Sequence, residues 1–477
     1  MESRKITSLD TLAKLTGHLR TLGVELPLDE ELIPGPAGPL AQPIQLDKIT
    51  IGNRFCILPM EGWDAEMDGK PSALTVRRWK RFGLSGAKLI WGGEAVAVQH
   101  DGRANPNQLL MAEENLSSIE QLRVELEQTH QQEFGRTDDL YVGLQLTHSG
   151  RFARPNDKQH MEPRTLYNHP LMDEKFGTNS STPVMTDDEI ERLIERFVSA
   201  SSDAHKMGYR FVDIKHCHGY LGHEFLSSFD RPGRFGGSLE NRTRFLRQVV
   251  EGIRGEAPDL QIGVRVSVYD TVPFRRGGSE TGEPIPHGES PYRYAFGGDG
   301  TGTGSDLSEP SQFLSLLESL GISMVCTTIG SPYYVPHLQR PAWYPPSDGY
   351  QSPVDPLVGV AIQLAVTAEL RRVHPRMMFV GSGYSYLQEW LGHIGQAAVS
   401  RNWVDSVGLG RMVLSYPDLP ADIFAGRPYK KKLICRTFSD CTTGPRNGMV
   451  SGCFPLDDYY RQMPERDQLK AIKAQID

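Results

Sequence analysis

The sequence predicts an eight-stranded parallel α/β barrel, a TIM barrel, with an N-terminal extension and a C-terminal tail. Eight short apolar segments alternate with longer helical patterns, and eight is the number of strands that closes such a barrel. Polar residues follow several of these segments, as expected for a site at the carboxyl ends of barrel strands. The predicted strands are Asn53–Pro59, Ala87–Gly92, Tyr141–Leu146, Phe211–Lys215, Ile262–Ser267, Ser323–Thr328, Met377–Gly381 and Asp405–Gly408. The predicted helices include Asp187–Met207, Gln312–Leu320, Pro356–Val373 and Tyr386–Ser400.

The chain divides into three predicted parts. Residues 1–44 form an extension with a helical leucine pattern and a proline-rich connector, residues 45–427 form the barrel, and residues 428–477 form a cysteine-containing tail. The length of 477 residues, 38% of them hydrophobic, is ample for a large core. Two connections are long, at residues 150–183 and 275–306. The second is rich in glycine and is either a functional lid or a disordered segment.

Charge and composition exclude several classes of protein. A net charge of −8 without a basic stripe disfavours binding to nucleic acid or to an acidic membrane. No apolar run reaches the length of a membrane span, and the N-terminus lacks the apolar core of a secretory signal. Six cysteines in this length do not form a disulfide scaffold, so we expect a reduced, cytoplasmic setting. Homo-oligomerisation is left open.

The most informative segment follows the fourth predicted strand. Lys215, His216, His218 and Tyr220 stand at or just past its end, so an amine, two imidazoles and a phenol supply proton carriers and hydrogen-bond donors together. Strand alternation points His216 away from the others and makes it structural. A polar turn without a catalytic role is the alternative interpretation.

Glycines follow the last two predicted strands. Gly381, Ser382 and Gly383 stand at the seventh, and residues 408–411, with sequence GLGR, at the eighth. Glycines let backbone N–H groups approach a phosphate, and the arginine adds a bidentate donor. Loops after strands seven and eight are the usual phosphate site of such barrels. Alternatively, the glycines only form tight turns.

Two polar residues belong to the third and fifth predicted strands. Arg265 lies inside the fifth strand, where an arginine is costly unless it meets an anion or a ligand. Gln145 lies near the end of the third, and its amide both donates and accepts hydrogen bonds. Together they suit a planar heterocycle with a uracil-like edge. The alternatives are a rim hydrogen bond for Gln145 and a buried salt bridge for Arg265.

These motifs resemble those of the Old Yellow Enzyme family of flavin-dependent ene-reductases, including its NADH:flavin oxidoreductase and dienoyl-CoA-reductase-like branch. The resemblance covers most of residues 45–425 and is carried by GYRFVDIKHCHGYLGHEFLSSFDRPGRFGGSLENRTRFL, with NRFCILPM, GLQLTHSGR, GVRVS and VGLGR in the same order. It implies a barrel that holds FMN at its C-terminal face. It also implies ping-pong chemistry, in which NAD(P)H reduces FMN, the flavin passes hydride to an activated alkene and a tyrosine supplies the proton.

The resemblance implies roles for individual residues. Tyr220 aligns with the proton-donating tyrosine, while His218 and Lys215 align with a pair that grips the substrate carbonyl. Many relatives carry histidine at the first of these positions, so Lys215 is a departure; its amine polarises a carbonyl, pairs with a substrate carboxylate or forms a structural salt bridge. Arg265 would stabilise the reduced flavin. The residues implied to contact FMN are Pro59, Met60, Glu61, Gly93, Gln145, Arg265, Gly381, Ser382, Gly383, Gly410 and Arg411.

The tail contains a second departure. Cys435, Cys441 and Cys453 resemble the cysteines that bind an iron–sulfur centre in the dienoyl-CoA-reductase branch, but that centre needs four thiolates. Phe438 stands where another cysteine is expected, so we expect no iron–sulfur cluster and no other metal. FAD is not expected either, because the extra flavodoxin-like and dinucleotide-binding domains of longer relatives have no counterpart in the sequence.

The sequence therefore predicts an FMN-dependent oxidoreductase that passes hydride from NADH or NADPH to the C=C bond of an enone, enoate or enoyl thioester. A Schiff-base aldolase using Lys215 is one alternative, against which Gln145 and Arg265 argue. A non-catalytic flavin-binding protein is the other, against which Tyr220 and His218 argue. The sequence determines neither the alkene nor the preferred nicotinamide.

Overall fold

The computed structural model describes residues 3–46, 48–178, 182–288 and 291–475. Its centre is a closed ring of eight parallel strands, β1 to β8, each followed by a principal helix, α1 to α8. The strands are Phe55–Ile57, Leu89–Ile90, Tyr141–Thr147, Phe211–Ile214, Gln261–Ser267, Met324–Thr328, Met378–Gly381 and Ser406–Leu409. The helices are Ala73–Gly83, Leu116–Phe134, Asp187–Lys206, Arg244–Glu256, Ser308–Ser319, Pro356–Val373, Leu391–Ser400 and Leu419–Phe424.

The strand register closes the ring. Gly408 of β8 lies opposite Cys56 of β1, and Leu89 of β2 lies opposite Tyr141 of β3. The predicted fold class is confirmed, and each predicted strand overlaps an observed one. The observed β1 is shorter than its prediction because Asn53 leaves the strand and its side chain donates a hydrogen bond to the carbonyl oxygen of Gly86 at 2.8 Å.

Shorter elements surround the barrel. Strand Ala95–Ala97 pairs with β3, and two antiparallel hairpins form from Ile44–Leu46 with Ile49–Ile51 and from Phe274–Arg276 with Gly282–Pro284. The remaining α-helices are Leu12–Leu22, Pro170–Phe176, Leu221–Leu226, Leu239–Arg242, Pro336–Gln339, Met412–Ser415, Asp440–Arg446, Asp458–Arg461 and Glu465–Lys473. The 3₁₀ helices are Ile6–Ser8, Pro39–Ala41, His100–Gly102, Glu113–Asn115, Gly150–Phe152 and Tyr384–Trp390.

Local sequence signals explain where the principal helices begin and end. Helix α3 begins after Thr186, whose hydroxyl accepts from the N–H of Glu189 while the Glu189 carboxylate accepts in return, a capping box. Helix α6 has the predicted bounds. The helix predicted over Tyr386–Ser400 is instead a 3₁₀ helix followed by α7, because Gln388 takes a left-handed backbone conformation with a φ of 53°.

The N-terminal extension and the tail both pack on the barrel. Leu15 and Leu19 of the first helix are buried in the main core, and Arg77 of α1 forms two hydrogen bonds of 2.9 Å with the carboxylate of Asp457 in the tail. The tail therefore lies near the carboxyl end of β1. The three-part division of the chain stays a prediction.

The long connection at residues 275–306 is packed against its neighbours in the part that the structure describes. Tyr292 and Phe296 are buried, and the N–H of Gly282 donates to the carbonyl oxygen of Gln351 at 2.9 Å. Residues 289–290 of this connection, and residues 179–181 of the earlier one, lie outside the described chain. Whether the later connection acts as a lid stays a prediction.

No helix among the described residues combines the length and the apolar character that crossing a bilayer requires.

Candidate active site

A cavity of about 260 Å³ lies at the carboxyl ends of the barrel strands. Residues of β3 and β5 and of the segments after β1, β4, β6, β7 and β8 bound it, and the tail forms a further wall. Two predicted site residues, Gly93 and Gly381, do not line it; Gly93 accepts a hydrogen bond from the N–H of Met60 at 3.4 Å, and Gly381 ends β7. The other predicted residues line the cavity: Pro59, Met60, Glu61, Gln145, Lys215, His218, Tyr220, Arg265, Ser382, Gly383, Gly410 and Arg411.

A buried carboxylate, Asp213 of β4, orients one side of the cavity. It accepts hydrogen bonds from Gln145 Nε2 at 2.6 Å, Trp91 Nε1 at 2.8 Å and the backbone N–H of Arg265 at 2.7 Å. Burial raises the pKa of Asp213 to about 6 in spite of these bonds. Because Asp213 engages the amide nitrogen of Gln145, the amide oxygen is the atom best placed to accept from a ligand.

Arg265 is buried without a carboxylate partner for its guanidinium in the described chain. Nη1 donates to the carbonyl oxygen of Pro59 at 3.2 Å, and Nε has no hydrogen-bond partner. The buried salt bridge that was the alternative interpretation of this residue is therefore not seen. A buried guanidinium N–H without an acceptor is unfavourable, so a ligand that accepts hydrogen bonds fits here.

Tyr220 shares a hydrogen bond with a second phenol. Its hydroxyl oxygen lies 2.6 Å from that of Tyr333, which follows β6. The Tyr333 ring stacks on Phe152 with centroids 4.1 Å apart. The stack holds the Tyr333 ring next to Tyr220. Burial raises the pKa of Tyr333, so its hydroxyl stays protonated.

Lys215 Nζ lies over the ring of Tyr220, 3.8 Å from its centroid. In the described chain it has no carboxylate within salt-bridge distance, so the structural salt bridge is not seen here either. Burial lowers the pKa of Lys215 to about 8. The amine is thus partly deprotonated just above neutral pH and remains available to a ligand.

His218 is held in a left-handed backbone conformation with a φ of 67°, which is uncommon outside glycine and is often found at functional sites. Gln339 Nε2 donates to His218 Nε2 at 3.0 Å. Burial, and the charges of Arg265 and Lys215, lower the pKa of His218 well below its usual value. The neutral ring therefore carries its proton on Nδ1, where it can donate to a carbonyl oxygen.

The segments after β6 and β8 bring two arginines to the cavity. Arg411, after β8, donates from Nη2 to the carbonyl oxygen of Pro341 at 2.7 Å, while Nη1 is buried without a partner. Arg340, after β6, donates from Nη1 to Thr442 of the tail, and its Nη2 is also buried without a partner. Burial and the charge of Arg411 lower the pKa of Arg340 to about 10. A Cβ added at Gly410 would meet open space, which leaves its backbone accessible to a ligand.

The family profile of the NADH:flavin oxidoreductases and NADH oxidases matches residues 39–287. The chain belongs to this family. The Old Yellow Enzyme resemblance predicted from the motifs is confirmed.

Curated relatives of this NADH:flavin oxidoreductase family member match over part of their length. An NADPH dehydrogenase of Bacillus subtilis is 29% identical over 238 residues, which cover 48% of this chain and 64% of that protein. An NADH:flavin oxidoreductase of Gibberella zeae is 31% identical over 246 residues, which cover 48% of this chain and 56% of that protein. The match thus spans less than two thirds of either relative.

Solved structures share the fold. The complex of 2-naphthoyl-CoA reductase with 2-naphthoyl-CoA superposes with a TM-score of 0.64 at 17% identity, covering 87% of this chain and 56% of that one. An Old Yellow Enzyme homologue from Zymomonas mobilis superposes with a TM-score of 0.55 at 20% identity, covering 82% of this chain and 94% of that one. At these identities the likeness establishes the barrel.

Several residues that line or support the cavity of this family member escaped the sequence interpretation. Asp213 had a signal, since it is a carboxylate inside an apolar strand, but Tyr333, Gln339 and Arg340 belong to a polar segment after β6 that has no recognisable motif. Arg446 lies in the tail, and only tertiary structure brings it to the cavity. Tyr292 and Tyr294 of the long connection line a separate cavity.

Two further expectations concern residues near this site. His216 faces away from the cavity as predicted: its Nδ1 lies 2.8 Å from the carbonyl oxygen of Ile214, and its ring packs near Phe245 and Phe313. Cys441 and Cys453 line the cavity. Within the described residues no group of three or more histidine, cysteine or acidic side chains is arranged to hold a metal ion. The expected absence of an iron–sulfur cluster stays a prediction.

Proposed function

We propose that the protein is an FMN-dependent oxidoreductase that takes hydride from NADH or NADPH and reduces an activated C=C bond. The observation that carries this proposal is that a single cavity is lined both by arginines with unused hydrogen-bond donors and by groups that can donate a proton. Arg265 Nε and Arg411 Nη1, buried donors without acceptors among the described residues, belong to residues that line it together with His218 and the hydrogen-bonded pair Tyr220 and Tyr333. Membership of the family supports the same activity.

The residues present fit FMN. Arg265 Nε and Arg411 Nη1 are buried without partners among the described residues, and each such donor costs about 1–3 kcal/mol until an acceptor meets it. Gln145 and Arg265 would hold the pyrimidine edge, whose oxygens accept and whose N–H donates. The phosphate would be held by Ser382, Gly383, Gly410, Arg411 and Arg340. Bound FMN would supply reversible acceptance and donation of hydride.

The chain's own groups position the alkene and deliver a proton. Tyr220 holds a proton at its hydroxyl oxygen, because a phenol has an unperturbed pKa of about 10. Tyr333, hydrogen-bonded to that oxygen, can return a proton after Tyr220 has given up its own. His218 Nδ1 would donate to the substrate's activating carbonyl, and Lys215 lies close enough to Tyr220 to contact the same substrate.

One observation favours a different activity. Because burial lowers the pKa of Lys215 to about 8, the amine is a better nucleophile than an ordinary lysine, as a Schiff-base aldolase requires. An aldolase activity, however, does not explain the hydrogen-bond donors of Arg265 and Arg411 that lack acceptors among the described residues. Borohydride in the presence of an aldehyde or ketone substrate would trap an aldolase as a covalent adduct, whereas the oxidoreductase forms none.

Purified protein is expected to contain about one non-covalent FMN per chain and to be yellow. Anaerobic NADH or NADPH should bleach the flavin absorbance, and one or more of an enone, an enoate and an enoyl thioester should restore it. Absorbance spectroscopy with stopped-flow mixing measures both half-reactions. Protein that stays colourless after reconstitution with FMN, or that borohydride labels at Lys215, would contradict the proposal.

Arg265→Ala is expected to lower the reduction potential of the bound flavin. Reduction adds negative charge to the flavin, which the buried guanidinium stabilises. Loss of a charged hydrogen-bond donor of about 1.5–3 kcal/mol corresponds to about 30–60 mV for a two-electron couple. Dye-coupled equilibrium titration measures the potential, with Arg372→Gln, an exposed arginine outside the cavity, as the control. An unchanged potential in Arg265→Ala would assign Arg265 a structural role instead.

A further inference from the structure

The side of the cavity that holds Tyr220 contains a cation, Lys215, that has no carboxylate within salt-bridge distance among the described residues. Lys215 is buried at the end of β4, and its Nζ contacts the face of the Tyr220 ring at 3.8 Å from the centroid. No described residue places a carboxylate within salt-bridge distance of this amine. A cation–π contact offsets only part of the hydration that a buried ammonium loses, so the site favours an added negative charge.

A second cation reaches the same side from the tail. The guanidinium of Arg446 lies 4.3 Å from the centroid of the Tyr333 ring, and Nε pairs with Asp348 at 3.3 Å. Asp348 is half exposed, and water weakens this pair. No described residue accepts a hydrogen bond from Nη1 or Nη2 of Arg446. Both terminal nitrogens are therefore available to a bidentate oxygen ligand.

The two cations flank the reacting groups. Lys215 covers the ring of Tyr220, Arg446 covers the ring of Tyr333, and the two phenol oxygens are 2.6 Å apart. Among the described residues that line the cavity, Glu61 is the one acidic residue. Its Oε1 accepts a hydrogen bond from Trp63 Nε1 at 2.9 Å. Arg265 and Arg411 face the flavin in the proposed function, so the positive charge of Lys215 and Arg446 remains for the substrate.

We infer that the alkene substrate is an anion, whose carboxylate or phosphoryl group pairs with Lys215 and Arg446 while its C=C bond lies against Tyr220. A neutral enone would leave Lys215 without a carboxylate at salt-bridge distance among the described residues, and Arg446 with only its half-exposed pair to Asp348, in a partly desolvated site. This inference rests on the proposed function, because it names the substrate class of that same site. A carboxylate and a phosphoryl group attached close to the C=C bond share the required chemistry.

The test compares substrates that differ in charge but carry the same reacting group. An enone with a carboxylate a few bonds from its C=C bond is compared with its methyl ester, and an enone with a phosphate monoester at the same position with the neutral dimethyl phosphate ester. We expect kcat/KM to be at least about tenfold higher for the charged member of one pair, chiefly through KM. The first pair identifies a carboxylate, and the second identifies a phosphoryl group.

Variants test whether the two cations cause the preference for a charged substrate. Lys215→Met and Arg446→Met are each expected to reduce the charged-to-neutral ratio about tenfold, while Lys215→Arg and the surface variant Arg372→Gln keep it. A wild-type ratio near one in both pairs, or a ratio that neither variant changes, would overturn the inference. Failure of every alkene to be reduced would instead count against the proposed function. In that case, quenching of Trp63 fluorescence by the saturated acid and by its methyl ester gives the binding ratio without turnover.

The pH dependence of the ratio supplies a second readout. The pKa of Lys215, about 8, places its loss of charge just above neutrality, so the preference should be present below pH 8 and fall as the pH rises through that value. The titratable and charged groups that interact with the amine are Cys217, Glu61, Arg265, Asp213, His218 and Tyr220. The pKa of Asp213, about 6, and that of Cys217, about 11, lie on either side of this window. Lys215→Arg should remove the fall; a fall that persists in that variant would assign the titration to another group.

Discussion

Tyr220→Phe should slow reduction of the alkene by about 10²–10⁴-fold, the usual contribution of a positioned general acid. Reduction of the flavin by NAD(P)H should change little, because that half-reaction needs no proton from the phenol. The ring, and with it the cation–π contact to Lys215, is retained in this variant. Stopped-flow measurement of the two half-reactions separates these effects.

Tyr333→Phe is the matched variant. It keeps the stack on Phe152 and the contact with Arg446 but removes the hydroxyl 2.6 Å from that of Tyr220. If Tyr333 returns the proton to Tyr220, this variant should slow alkene reduction less than Tyr220→Phe does and should raise the solvent isotope effect. Wild-type alkene reduction in Tyr220→Phe together with slow reduction in Tyr333→Phe would make Tyr333 the direct acid.

The second large effect is expected on FMN binding when Arg340 or Arg411 is replaced. Arg340→Ala and Arg411→Ala should each weaken binding of FMN, because each removes a charged donor to the phosphate. A hydrogen bond to a charged group contributes about 1.5–3 kcal/mol, which corresponds to about 10- to 150-fold in the dissociation constant. Binding of riboflavin, which lacks the phosphate, should change far less, so the ratio of the two affinities should fall. Fluorescence titration of the apoprotein measures both constants.

Arg446→Ala is the control for this pair. Arg446 also lines the cavity, but it contacts the Tyr333 ring, and its loss should leave the ratio of FMN to riboflavin affinity unchanged. If the ratio of FMN to riboflavin affinity is unchanged in Arg340→Ala but reduced in Arg411→Ala, Arg411 binds the phosphate and Arg340 does not. Equal loss of FMN and riboflavin in both variants would indicate that the arginines only support the fold.

The order of strands and helices could be predicted from sequence because the alternation of apolar segments and amphipathic helices is local. Pro356–Val373 was predicted with its observed bounds, since Asp355 caps it and the apolar pattern continues to its end. The helix predicted over Tyr386–Ser400 was partly wrong because the left-handed conformation of Gln388 has no sequence signal of its own. Strand ends were less well predicted because pairing with neighbours decides where a strand stops.

Much of the cavity could also be predicted, because residues at the carboxyl ends of barrel strands meet at one face. Lys215, His218 and Tyr220 follow one strand, so their proximity needed only the fold class. Gly93 and Gly381 were placed in the cofactor site by resemblance, but neither lines the cavity. Their roles, like those of the other predicted residues, are for the variants above to decide.

By itself the sequence determined the barrel, the family motifs and the strand-end residues of the site, because each depends on spacing along the chain. Only the tertiary structure decided the partners of those residues. It paired Tyr333 with Tyr220 and Asp213 with Gln145, placed Arg340 near enough to Arg411 for their charges to interact, and brought Arg446 from the tail to the ring of Tyr333. Segments far apart in sequence make these contacts, and their charges matter because burial removes the water that would otherwise screen them.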